Sequence, residues 1–104
     1  MKVFKFGGAS VNSIDRIKNL VPIMKHWENE KIVVIVSAMG KTTNALEKVA
    51  DAFYTGKKEE ALQLFDQVKQ QHLSTAKYLL ITHYLSCEAQ LIDFFTEVEW
   101  LLHD

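Results

Sequence analysis

Lys5, Gly7, Gly8 and Ser10 fall within the run Lys5-Phe6-Gly7-Gly8-Ala9-Ser10, a set of residues suited to holding a phosphate. Lys5 brings a mobile positive charge and Ser10 a hydroxyl donor. Two adjacent glycines let the backbone approach a bulky anion with no Cβ in the way. A short strand over residues 2–6, apolar from Val3, must end here, and a helical pattern starts at Ile14. Backbone N–H groups at such a strand-to-helix turn, with the positive end of the following helix, form a ready anion site. The same residues also fit a plain tight turn, with Lys5 solvated on an edge strand. The turn alone does not separate these readings, because short motifs match by chance.

A second loop repeats the arrangement. Ile32-Val33-Val34-Ile35-Val36 is apolar without alternation, the pattern of a strand buried on both faces. It runs into Ser37-Ala38-Met39-Gly40-Lys41-Thr42-Thr43-Asn44, which places hydroxyls and N–H groups at the C-terminal end of a parallel strand. Ligands of open α/β sheets bind at that end. Gly40-Lys41-Thr42 invites a P-loop reading, but that motif needs a glycine where Ile35 stands inside the strand. Ser37, Thr43 and Asn44 are equally good helix-capping types, and capping and ligand contact can coexist at one helix start.

The elements that position these loops read strand, helix, strand and three further helices. The first helix is expected from Ile14 to Trp27, capped by Ser13 or Asn12, with Pro22 kinking it or removing a hydrogen bond. Ile14, Ile17, Leu20 or Val21, Met24 and Trp27 would face the sheet. The second helix is expected from Asn44, with Glu47 as the reciprocal capping partner, and closes at a left-handed Gly56. A long helix over 57–81 and a last one over 85–102 follow. Strand–helix–strand of this length implies parallel pairing with a right-handed crossover. Two strands fall short of a complete doubly wound sheet, so the Val33–Val36 strand needs a neighbour that these residues do not supply. The fold expected is an incomplete three-layer α/β/α domain, with parallel strands 2–6 and 32–36 and four helices.

Composition narrows the field. The chain has 104 residues, enough for one domain with a modest core. A formal net charge of −1 provides no basic face for nucleic acid. No apolar run reaches membrane-spanning length, and the charges in Met1-Lys2-Val3-Phe4-Lys5 are too close for a signal peptide. One cysteine, Cys87, excludes an internal disulfide and fits a reducing compartment. The expectation is a soluble, cytoplasmic protein without nucleic-acid or membrane partners. His83 and Cys87 have metal-ligand spacing if they share a helix, but a structural zinc site wants four ligands, and no metal site is expected. His72 reads as a partly buried, hydrogen-bonded histidine. Phe94, Phe95 and Trp100 read as core or interface residues.

The two loops together carry a resemblance. Lys-Phe-Gly-Gly-x-Ser at the start of the chain, followed after the second strand by Val-Ser-Ala-x-x-x-x-Thr-Asn, resembles the aspartate kinases of the amino-acid kinase family. Ala9 departs from that pattern, where Thr or Ser is more usual, and so removes one hydroxyl. The resemblance implies that residues 1–104 form the N-terminal portion of a catalytic domain. It implies transfer of the ATP γ-phosphate to the side-chain carboxylate of L-aspartate, the step that opens lysine, threonine and methionine biosynthesis. In that scheme Lys5 is the catalytic cation. Phe6, Gly7, Gly8, Ala9 and Ser10 line the ATP phosphates together with Lys5 and Ser37. Thr43 and Asn44 contact aspartate. Mg2+ would bridge phosphate oxygens, although no carboxylate cage for it is visible. Members of the family are several times longer, so a homo-oligomeric full-length enzyme is implied and the 104 residues alone should be inactive. The alternative is a non-catalytic kinase-like module that binds phosphate weakly or associates through its long helices. An amino-acid kinase with another acceptor ranks third, because relatives vary the Phe-Gly-Gly part.

Overall fold

The computed structural model describes residues 1–103 and divides into two compact units, Met1–Thr42 and Thr43–Asp104. In the first unit, strands β1 (Lys2–Phe6) and β2 (Ile32–Val36) pair in parallel, with Lys5 opposite Ile35 and Phe6 opposite Val36. Both strands have the expected bounds. Between them lie a 3-10 turn (Gly8–Ser10) and helices α1 (Ile14–Lys18) and α2 (Leu20–His26). The single helix expected over 14–27 is therefore broken at Asn19. The reason is Pro22, which has no N–H to donate to Lys18 and whose ring crowds that carbonyl. In the first turn of α2 its missing donor goes unnoticed, since first-turn N–H groups have no intrahelical partner. Of the two candidate caps, Ser13 is the one used, its Oγ accepting from the Arg16 N–H at 3.2 Å.

Alternation along β1 gives the sheet two different faces. Phe4 and Phe6 lie on one side, with ring centroids 6.5 Å apart, and Phe4 meets Trp27 at 6.0 Å. Lys2 lays its ammonium 3.7 Å from the centre of the Trp27 ring. On the other side Val3 and Lys5 stand beside Val33 and Ile35, and all four are exposed. The doubly buried strand expected at 32–36 is thus corrected: Ile35 is 50% and Val36 54% exposed. With only two strands in the sheet among the described residues, each strand has one unpaired edge.

The second unit is helical and holds α3 (Thr42–Tyr54) from Thr43 onward, α4 (Lys58–Leu79) and α5 (Tyr84–His103). Its core joins Val49 and Ala52 of α3, Ala61 and Phe65 of α4, and Phe95 and Leu102 of α5. Phe65 and Phe95 meet edge-to-face at 5.9 Å, and His72 packs on Phe95 at the same distance. His72 is partly buried, with its Nδ1 2.8 Å from the Val68 carbonyl, as its place in an apolar stripe suggests. Lys69 and Glu99 bridge α4 and α5 at 2.9 Å. Gly56 closes α3 at φ +82. The Lys57 N–H donates to Ala52 at 2.8 Å and the Gly56 N–H to Phe53 at 3.1 Å, the paired bonds of a Schellman ending. An L-residue there would incur about 1–2 kcal/mol of left-handed strain.

One further expectation changes. Helix α3 starts at Thr42, so Asn44 is its third residue and forms no capping box with Glu47. His83 precedes α5 and its carbonyl accepts from the Cys87 N–H at 3.1 Å, so it stands at the cap of the helix rather than within it. Of the three aromatic residues on α5, Phe95 is core, whereas Phe94 is 67% and Trp100 70% exposed. No helix among the described residues is long and apolar enough to cross a membrane.

Candidate functional site

The turn after β1 exposes donors because of how short it is. Gly7 is extended (φ −77, ψ 178) and the chain then winds into one 3-10 turn. The Ser10 N–H donates to the Gly7 carbonyl at 2.9 Å and the Val11 N–H to Gly8 at 3.2 Å. The N–H groups of Gly8 and Ala9 precede the first bond of that turn and have no backbone acceptor among the described residues. Ser10 keeps only its hydroxyl free, since its N–H is spent inside the turn. The helix expected to lend its positive end is five residues long and begins at Ile14, so its contribution is slight.

The glycines of the chain are there for different reasons. Gly56 supplies positive φ. Gly40 supplies room: a Cβ there would lie 2.8 Å from the Cβ of Asn12, so the loop after β2 packs tightly on the segment after the 3-10 turn. Gly7 and Gly8 supply neither, because both have ordinary φ and a Cβ at either would meet no atom within 4 Å. Nothing among the described residues requires them to be glycine.

Around this turn, Lys5 projects from the open face of the sheet and forms no ion pair among the described residues. Phe6 is buried at the end of β1, and its carbonyl accepts from the Ser37 N–H at 2.9 Å. That bond brings Ser37 to the root of the glycine turn at the C-terminal end of the sheet. Lys5, Phe6, Gly7, Gly8, Ala9, Ser10 and Ser37 thus gather at one place. Thr43 and Asn44 belong to the second unit, exposed in the first turn of α3. Their neighbour Thr42 is 5% exposed, and its Oγ1 has no hydrogen-bond partner among the described residues. Lys41, just before it, holds a left-handed φ of 62.

Arg16 is a member that spacing does not disclose. Its Nη1 donates to the Ala9 carbonyl at 3.0 Å. With Phe6, Ser10, Asn19, Leu20 and Ile23 it lines a cavity of about 190 Å³ beside the turn. The groups on offer here are hydrogen-bond donors and a cation, which suit an anion and do not suit a bare metal ion. No three His, Cys, Asp or Glu side chains among the described residues are grouped to hold a metal.

A parallel βαβ unit with a donor-rich glycine turn at the C-terminal end of its first strand defines the class of the first unit as α/β. The amino acid kinase family model matches residues 1–95, and the chain belongs to that family. It is 36% identical over 93 residues to Aspartokinase 2, chloroplastic, of Arabidopsis thaliana, covering 88% of this chain and 16% of that protein. It is 33% identical over 104 residues to Aspartokinase 1, chloroplastic, of the same plant, covering 96% and 17%. An aspartokinase of Rickettsia conorii is 54% identical over 44 residues, covering 40% and 11%. The chain therefore spans about a sixth of the length of the two plant relatives.

Proposed function

We propose that the chain carries the phosphate-binding portion of an aspartate kinase. The observation that carries this reading is the Gly7-Gly8 turn, whose donors have no internal acceptor and whose glycines have no internal reason. Backbone held open in this way fits a polyphosphate that must come closer than a Cβ allows. Aspartokinase relatives name the acceptor class.

In the reaction, an oxygen of the L-aspartate side-chain carboxylate forms a bond to the γ-phosphorus of ATP. The bond from that phosphorus to the β,γ-bridging oxygen breaks, and its electron pair leaves with ADP. Such transfer depends on positioning and on neutralising charge rather than on covalent help. Lys5 offsets charge on the moving phosphoryl group. Gly7, Gly8 and Ala9 present N–H groups to phosphate oxygens, with the Ser10 and Ser37 hydroxyls beside them. Phe6 anchors the turn from below, and Thr43 and Asn44 contact aspartate. Magnesium enters as part of Mg·ATP, because the turn offers donors rather than ligands for a cation. The open sheet face and free strand edges fit a three-layer α/β/α domain whose other parts would bind adenine and the substrate's remaining groups. On this reading the 104 residues alone give no turnover, and the intact enzyme is a cytoplasmic homo-oligomer.

The test is to trap acyl phosphate with hydroxylamine. The intact protein is expected to form aspartyl hydroxamate only when Mg·ATP and L-aspartate are both present, and the 104-residue chain to form none. Product formed without aspartate, or by the short chain alone, sinks the assignment. The exposed Phe94, Trp100 and Leu101 on α5 favour a second reading, a module that associates through its helices. A defined oligomer with no affinity for Mg·ATP would decide for it.

A further inference from the structure

We propose that Arg16 is a positioning residue for the phosphate turn, acting on the Gly8 N–H through two intervening peptide groups. The inference rests on the phosphate-binding reading above. Arg16 Nη1 donates to the Ala9 carbonyl at 3.0 Å. That carbonyl shares its peptide group with the Ser10 N–H, which donates to the Gly7 carbonyl at 2.9 Å. The Gly7 carbonyl in turn shares its peptide group with the Gly8 N–H, which has no backbone acceptor among the described residues. In a trans peptide the carbonyl and N–H point opposite ways, so the three groups form one directed chain from guanidinium to ligand. Charge-assisted bonds are roughly twice as strong as neutral ones, and bonds in series polarise one another. A cation drawing electron density onto the Ala9 oxygen makes the Gly8 N–H a better donor at the far end.

Arg16 is placed for this from both ends. Its own N–H is held by Ser13 Oγ at 3.2 Å, which fixes the start of α1 and with it Arg16, seven residues after the turn's Ala9. No carboxylate among the described residues pairs with its guanidinium, so its charge is not already neutralised. The same bond also holds the turn in one conformation before ligand arrives, which spares the cost of ordering it. Because the carbonyls of a helical turn point away from its first N–H groups, an Arg16 guanidinium on the Ala9 oxygen acts on the free donors through the backbone.

The experiment compares wild type, Arg16→Met and Lys5→Ala in the intact protein, with glycine-selective ¹⁵N labelling and steady-state kinetics. Arg16→Met is expected to move the Gly8 amide proton upfield and to lower kcat about tenfold, with KM for Mg·ATP changing much less, the scale of one lost charged hydrogen bond. Arg16→Lys, which keeps a cation and the aliphatic stem, should recover part of both effects. An unmoved Gly8 resonance together with wild-type kcat in Arg16→Met overturns the proposal. If Lys5→Ala is impaired and Arg16→Met is not, only the relay fails; if neither is impaired, the phosphate-binding reading itself fails. Should Arg16→Met lose its fold, Arg16→Lys decides: intermediate values support the relay, and wild-type values overturn it.

Discussion

Replacing Lys5 by Ala in the intact protein is expected to lower kcat at least about a hundredfold while leaving the melting temperature unchanged, the scale for losing one preorganised electrostatic group. The two halves of that expectation come from the same placement. Lys5 stands exposed on the open sheet face, with no ion pair among the described residues, so its removal costs the fold little. Its position beside Gly7 and Gly8 makes it the nearest cation in sequence to the proposed phosphoryl group. The effect should fall on kcat more than on KM, because the charge it offsets grows in the transition state. A kcat near the wild-type value would remove Lys5 from the mechanism.

Phe95→Ala should destabilise the helical unit by about 3–5 kcal/mol, the usual cost of emptying an aromatic core position. Phe95 is buried, meets Phe65 edge-to-face at 5.9 Å and supports the His72 ring at 5.9 Å. It belongs to the core cluster to which α3, α4 and α5 all contribute. A unit this small has a total stability of only a few kcal/mol, so this single change should unfold it at room temperature. Urea unfolding followed by far-ultraviolet circular dichroism checks this directly. A midpoint equal to wild type would mean that the three helices do not depend on that contact.

Local chemistry made much of the fold readable. Strands 2–6 and 32–36 announce themselves by β-branched and aromatic residues, and Gly56 by the left-handed position that only glycine fills without strain. Pro22 signals an interruption, although its position in the first turn of α2 depends on where the chain resumes the helix. The start of α3 was not readable, because Thr42, Thr43 and Asn44 are all good cap types and Lys41 takes a left-handed φ against its nature. Burial of β2 could not follow from its own residues, since an apolar strand is covered only if other segments pack on it. The same holds for Phe94 and Trp100 on α5.

At the candidate site, the Lys-Phe-Gly-Gly run and Ser37 were legible from residue type and strand position. Arg16 was not, because a long side chain reaching back to Ala9 leaves no periodic trace. Gly40 fails as a P-loop glycine on spacing, and that it makes room against Asn12 follows only from the fold. These residues define how the two loops are held, and only the folded chain brings them together.

The central claim is that Gly7 and Gly8 are glycine for the sake of an anion. Calorimetric titration of Mg·ADP into the intact protein and its Gly8→Ala variant, each with a thermal melt, tests it most directly. A Cβ at Gly8 meets no atom within 4 Å, so stability read from the melt should be unchanged or raised by up to about 1 kcal/mol. Affinity should fall tenfold or more, since a methyl forced into a close contact costs about 1–3 kcal/mol. Unaltered affinity in a well-folded Gly8→Ala protein would contradict the account, and the turn would then be only a turn.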